Sequence, residues 1–160
     1  MTTQQYAACL AAPFGVLGIV ADDKFITGIR FLARSTPTFA PRRNSVAHLA
    51  CIQLNAYLDD PDFRFDLPLK LMGTAHQIKV WEALKAIPRG EVLTYGELAV
   101  RVGSVPRAIG GACGSNAIPV VIPCHRVVSA GGGLGGFMGG CDEDPLAIKR
   151  WLLLHEGYLR

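Results

Sequence analysis

The sequence predicts an α+β chain in two parts: a small antiparallel sheet with one helix, then a helical unit containing a helix-turn-helix. Three observations carry this prediction. The first third holds three β-prone segments separated by turn residues. From Gly73 onward, capping-box patterns open successive helices. Glycine and proline then punctuate short helical stretches with no internal repeat. The change of texture places a domain boundary near Leu71, dividing residues 1–71 from 72–160.

Each element has a local reason. Segments 6–12, 15–21 and 25–32 read as a meander, broken at Pro13-Phe14-Gly15 and at Ala21-Asp22-Asp23-Lys24. A linker with Pro37 and Pro41 leads to residues 44–58. There Val46, Leu49, Gln53, Leu54, Tyr57 and Leu58 approximate a helical stripe, capped by Asn44 or Ser45. Residues 63–67 alternate like a short fourth strand. Thr74 with Gln77 opens a helix that stops at Pro88-Arg89-Gly90, and Thr94 with Glu97 opens a second that ends near Gly103. Ser104 is the expected cap of a third helix with Pro106 in its first turn, completing the helix-turn-helix. The last helix starts at Asp144-Pro145 and stops at Gly157.

Half of the 160 residues are apolar, 18% are charged and the mean hydropathy is +0.28. That composition buries a core and excludes a disordered tail or a fibrous repeat. The net charge of +3 is too mild to name a partner by itself. Five cysteines form an odd set, and residues 1–5 are polar rather than a secretory apolar region. Thiols in a reducing compartment are therefore expected, with no disulfide framework. No apolar run approaches the roughly 20 residues that span a bilayer, so a soluble, intracellular protein without a membrane partner is expected.

Glycine distribution points further. The third helix carries Gly110, Gly111 and Gly114, and each interior glycine costs about 1 kcal/mol relative to alanine. With Ala108 and Ala112 they leave a surface nearly free of side chains. That surface suits either close packing on a neighbouring helix or entry into a nucleic-acid groove with Arg107 leading. The 44 residues between Glu97 and Asp142 contain no acid but carry Arg101, Arg107 and Arg126. Such a segment fits a face that meets phosphate, or a buried region poor in charge of either sign.

The chemistry concentrates in residues 118–128, where a β-branched run delivers Cys124, then His125 and Arg126. A neighbouring base or cation favours the nucleophilic thiolate, and a third group must orient the base. Glu156 at the end of the last helix is the candidate for that third group. Cys9, Cys51 and Cys113 read as small buried hydrophobes. Gly131, Gly133 and Gly136 match a dinucleotide pattern but lack the βαβ context. Cys113, Cys124, His125 and Cys141 lack any standard zinc spacing. A cysteine hydrolase would leave the helix-turn-helix without a purpose. A non-enzymatic DNA-binding module is the remaining rival, and Cys124 argues against it.

Asn116 followed by Cys124 within Ile-Pro-Cys-His-Arg-Val-Val resembles the active-site signature of the O6-alkylguanine-DNA alkyltransferases, the methylated-DNA–protein-cysteine methyltransferases of direct repair. The segment 94–99 looks like that family's tyrosine-bearing helix. Residues 107–111 look like its recognition helix, and 151–157 like its closing helix with the active-site glutamate. The resemblance covers residues 73–157 well and the first third in outline. It implies a ribonuclease H-like first unit and a winged-helix-like second one. It further implies a monomer that binds alkylated double-stranded DNA through the minor groove, flips the damaged base and needs neither metal nor organic cofactor. The implied location is the cytoplasm of a bacterium, or the nucleus only in a eukaryote.

The resemblance also implies roles. Cys124 attacks the alkyl carbon of O6-alkylguanine, and of O4-alkylthymine as a second candidate, in one irreversible turnover. His125 takes the thiol proton through a water, Glu156 orients the imidazole, Tyr95 protonates the leaving base and Asn116 fixes the turn. Arg107, Ala108, Gly110, Gly111 and Arg126 would meet DNA, while Val127, Met138 and Gly139 would line the base pocket. The chain departs from the family pattern in a shorter turn at 103–106, in Ala117 after Asn116, in Met138, and in an acidic insertion at 141–145.

Overall fold

A computed structural model describes residues 5–131, 133–137 and 144–159. Strands β1 (Ala8–Ala12), β2 (Gly15–Ala21) and β3 (Ile26–Leu32) form an antiparallel sheet in the order β1-β2-β3. Pro13 and Phe14 make the first turn, with Ala12 paired to Gly15. In the second, the Asp22 carboxylate accepts from the backbone of Lys24 and Phe25 at 2.8 and 2.7 Å. Helix α1 (Val46–Asp59) is capped by Ser45, whose hydroxyl accepts from His48 N–H. Ala47, Ala50, Cys51, Leu54 and Tyr57 are its buried apolar residues.

The expected fourth strand at 63–67 does not form. Gln53 of α1 engages Asp66 from both sides: its amide donates to the Asp66 carbonyl at 2.9 Å and accepts from the Asp66 N–H at 2.8 Å. Backbone groups satisfied by a side chain need no partner strand. The chain bridges to the sheet further on, where Leu69 pairs with Ile26.

Helix α2 (Ala75–Lys85) begins with the Thr74–Gln77 capping box, and α3 (Tyr95–Val102) with the Thr94–Glu97 box. Gly103, at φ +69°, ends α3 in the left-handed conformation, and α4 (Pro106–Gly114) follows at once. Ser104 is not the cap of α4. Its hydroxyl pairs with His76 Nε2 at 2.8 Å, and Val105 takes the cap position without a side-chain bond. Pro106 at the first helical position has no N–H to satisfy, which eases that loss. The Trp81 indole donates to the Ala112 carbonyl at 2.9 Å and ties α2 to α4.

Two very short strands then decide where the chemistry sits. β4 (Leu93–Thr94) pairs in parallel with β5 (Val127–Val128). Tyr95 follows β4 directly, and the 3₁₀ turn Cys124–Arg126 precedes β5 directly. One ladder thus brings the start of α3 beside the cysteine turn. Helix α5 (Pro145–His155), capped by Asp144, returns across both parts of the chain. Trp151 meets Phe14 at 5.2 Å between ring centroids, and a continuous apolar core runs from the sheet through α1 to α5.

Candidate active site

Asn116 organises the approach to the cysteine. It is buried, and its amide donates to the Ile122 carbonyl at 2.8 Å while its oxygen accepts from Ile118 N–H at 3.0 Å. The enclosed turn holds Val120 at φ +72°, a conformation costly for a β-branched side chain. The Ile122 carbonyl also accepts from Cys124 N–H at 2.8 Å, so the Asn116 clamp bears directly on the cysteine backbone. Cys124 itself is 3% exposed.

Behind the cysteine lies a buried polar cluster centred on Glu156. Its Oε2 accepts from Tyr57 OH at 2.6 Å, Arg126 Nη2 at 3.0 Å and His125 Nε2, 2.8 Å away; its Oε1 accepts from Arg126 Nε at 2.8 Å. Four donors use the full acceptor capacity of a carboxylate. Burial alone would raise the Glu156 pKa, but the bonds and charges of His125 and Arg126 outweigh it and hold the carboxyl well below its ordinary range. His125 is fully buried, and desolvation pulls its pKa down against the opposing pull of Glu156. Its Nδ1 has no protein partner among the described residues. Burial, then the Glu156 charge, raises the Tyr57 phenol.

In front of the cysteine is a cleft of about 410 Å³. Helix α4 lines it with Pro106, Arg107, Gly110, Cys113 and Gly114, one face at helical spacing. Tyr95, Cys124, Gly136 and Phe137 complete the wall. The Tyr95 hydroxyl donates to the Gly136 carbonyl at 3.4 Å, and burial raises its pKa. Gly135, at φ +72°, lies so close that a Cβ there would stand 2.9 Å from the Tyr95 ring. Arg107 is exposed at the rim.

The glycines of α4 are not packed on a neighbour. A Cβ built on Gly110, Gly111 or Gly114 would meet nothing within 4 Å. Of the two uses of a bare helix surface, close helix packing is therefore ruled out at these positions.

Two of the expected site residues have partners inside the protein. The Arg126 guanidinium bonds Glu156 and the Ile87 carbonyl, the latter at 2.6 Å, and its side chain is 13% exposed. A cation inside an acid-free segment paired with an acid 30 residues later. Val127 is fully buried, and its carbonyl, the group expected to face the base, accepts from Lys149 Nζ at 2.7 Å. Met138 and Gly139 lie outside the described residues, as does the acidic segment at 141–143. Among the described residues, no cluster of histidine, cysteine and carboxylate side chains has the makings of a metal site. Among the described residues, no helix is long and apolar enough to cross a membrane.

Sequence reasoning missed Tyr57, Lys149 and Cys113. Tyr57 was visible only as one member of an apolar stripe. Lys149 is fully buried; its ammonium donates to the carbonyls of Val127, Leu134 and Gly136, and it lies 5.9 Å from the Tyr95 ring centroid. Burial lowers its pKa to about 8, opposed by the neighbouring thiols of Cys124 and Cys113. A lysine on the buried side of an amphipathic helix is the one signal that could have exposed it.

A family model described as the DNA-binding domain of 6-O-methylguanine DNA methyltransferase matches residues 75–158. A methylated-DNA–protein-cysteine methyltransferase of Mycolicibacterium paratuberculosis is 38% identical over 149 residues, covering 87% of this chain and 88% of that protein. The crystal structure of a Mycobacterium tuberculosis O6-methylguanine methyltransferase superimposes with a TM-score of 0.76 at 36% identity, over 95% of this chain and 93% of that one. A crystal structure of Mycobacterium tuberculosis OGT in complex with DNA gives 0.75 at 34% identity, over 92% and 90%.

Proposed function

The chain belongs to the 6-O-methylguanine DNA methyltransferase family, and from that premise we propose how its own residues perform the reaction. It is a methylated-DNA–protein-cysteine methyltransferase, which repairs DNA by moving an alkyl group onto a cysteine. The acceptor is Cys124. The observation that carries this reading is a thiol between a cleft and a buried His125–Glu156 pair whose Nε2···Oε2 distance is 2.8 Å.

With Nε2 engaged by Glu156, Nδ1 is the nitrogen left to accept the thiol proton, through a bridging water. The Cys124 sulfur then displaces O6 of guanine from the alkyl carbon, forming one C–S bond as one C–O bond breaks. Glu156 holds the imidazole and stabilises its cation. The Tyr95 phenol, kept protonated by its raised pKa, supplies a proton to the departing base. Asn116 holds the backbone so that the sulfur faces the cleft. A thioether has no leaving step, so each molecule reacts once.

Substrate enters along α4. The base must leave the stack to present its O6 substituent to a recessed thiol. Arg107, exposed at the cleft rim, takes its place in the duplex, and the open faces of Gly110 and Gly111, with the small side chain of Ala108 beside them, allow backbone entry into a minor groove about 6 Å wide. Residues 72–160 carry these tasks, and residues 1–71 contribute Tyr57. O6-alkylguanine is the principal substrate, with O4-alkylthymine the second candidate, and the protein acts as a monomer.

Two variants test the assignment. Cys124→Ala should bind an O6-methylguanine duplex like wild type yet transfer nothing. Arg107→Ala should lose transfer from duplex while keeping transfer from the free O6-alkylated base. Equal losses on both substrates would remove Arg107 from the flipping role, and transfer by Cys124→Ala would remove Cys124 as acceptor.

A further inference from the structure

The alkyl-acceptor cleft contains a second thiol that the reaction does not use. Cys113 sits on the cleft face of α4, one turn beyond Gly110, and lines the same 410 Å³ space as Cys124. The two are tied through the backbone as well. The Cys113 carbonyl accepts from Asn116 N–H at 3.2 Å, and the Asn116 amide shares the Ile122 carbonyl with the Cys124 N–H. Neither cysteine is in a disulfide, and they are 8% and 3% exposed. Cys9 and Cys51 lie apart from them, in β1 and α1.

We propose that Cys113 is a resolving thiol: when a peroxide oxidises Cys124, Cys113 closes a disulfide onto it and keeps the one-use acceptor recoverable. This rests on the reading of Cys124 as the nucleophile in the cleft. The steps balance. The Cys124 sulfur attacks one peroxide oxygen, the O–O bond breaks, and sulfenic acid and water result. The Cys113 sulfur then attacks the sulfenic sulfur, the S–O bond breaks, and a second water leaves carrying the Cys113 proton. Two thiols are oxidised and one hydrogen peroxide is reduced to two waters. Without a resolving thiol, further oxidation to sulfinic acid is irreversible for a protein of this kind.

The surroundings set how the second step runs. Burial, with the Cys124 charge adding to it, pushes the Cys113 thiol up to about 12, so Cys113 is protonated at neutral pH and gives up its proton as it attacks the sulfenic sulfur. The Lys149 ammonium feels the charge of both sulfurs, which puts a cation within electrostatic reach of whichever is ionised. An alkylated Cys124 cannot be oxidised in this way, so the disulfide belongs to the unreacted protein.

The test reads mass, without DNA. No lysine or arginine lies between Arg107 and Arg126, so trypsin releases both cysteines in one peptide, residues 108–126. Reduced full-length protein is treated with a molar excess of hydrogen peroxide, enough to carry an unprotected thiol past sulfenic acid, then blocked with iodoacetamide and digested without reductant. The expected peptide lacks two hydrogens and takes no iodoacetamide, and dithiothreitol given before digestion returns both thiols and the transfer capacity. Cys113→Ser and Cys113→Ala, each compared with its own untreated sample, should instead gain oxygen on Cys124 and lose transfer permanently. A wild-type peptide that gains oxygen while Cys113 remains open to iodoacetamide overturns the proposal. So does full recovery of transfer in both variants. If Cys124 proves not to be the acceptor, untreated protein incubated with substrate carries its methyl group elsewhere or carries none, whereas the peptide mass after peroxide still reports on the disulfide.

Discussion

Glu156→Gln is the most informative single change, because it keeps the shape of the buried cluster and removes its charge. The carboxylate accepts from four donors supplied by Tyr57, His125 and Arg126. A glutamine amide can accept at only one of its two ends. If its nitrogen takes the Oε1 position it faces Arg126 Nε–H; at the Oε2 position it faces three donors. Either way the Arg126 guanidinium, 13% exposed, loses its counter-charge. Removing one partner of a buried pair costs about 3–5 kcal/mol, and the residual exposure of Arg126 puts this case near about 3. For a chain of this size that lowers Tm by about 6–12 °C. The pH dependence gives the sign. Glu156 has a folded pKa below its ordinary 4.5, so its stabilisation is complete above about pH 4.5 and is lost as pH falls through the depressed value. Urea unfolding of both proteins at about pH 7 and about pH 3 should therefore show a gap that narrows on acidification. A gap under about 1 kcal/mol at neutral pH, or one that does not narrow, would refute the electrostatic account of this cluster.

Other changes follow from the same geometry. Tyr57→Phe removes one charge-assisted bond and should cost about 1.5–3 kcal/mol in urea unfolding; the three remaining donors should keep Glu156 ionised, so transfer slows without stopping. Lys149→Met strands three carbonyls, from β5 and from the loop bearing Gly136. It should destabilise by about 3 kcal/mol or more and slow transfer, because the cleft wall it pins is released. Gly110→Ala and Gly111→Ala should each stabilise α4 by up to about 1 kcal/mol, since the new methyl meets nothing, yet weaken duplex affinity in a titration. Gains in both stability and affinity would show that this face does not approach DNA.

The parts of the fold written in local chemistry were legible. Thr74 and Thr94 each carry a capping partner three residues on, and both helices begin there. Asp144-Pro145 and Gly157 likewise frame the last helix. What escaped depends on distant residues. Alternation at 63–67 suggested a strand, but Gln53, 13 residues from Asp66, satisfies that backbone instead. Ser104 had the composition of a cap, and His76 claimed its hydroxyl. Arg126 stands in an acid-free stretch of sequence, and its partner Glu156 is brought to it by α5 from 30 residues away. The Tyr57–Glu156 bond spans 99 residues and joins the first helix to the last, so no pattern in either helix reveals it. The site lies where the two-residue strands β4 and β5 meet, and segments that short carry no periodicity to read.

The central claim is that Cys124 accepts one alkyl group and keeps it. Incubating the protein with excess duplex containing O6-methylguanine, then fragmenting the peptide 108–126 in a mass spectrometer, tests this directly. The account predicts one methyl group per protein molecule, carried by the Cys124 sulfur, with repair stopping when the protein is consumed. A methyl group on Cys113 instead, or guanine restored beyond one equivalent while Cys124 stays unmodified, would contradict it.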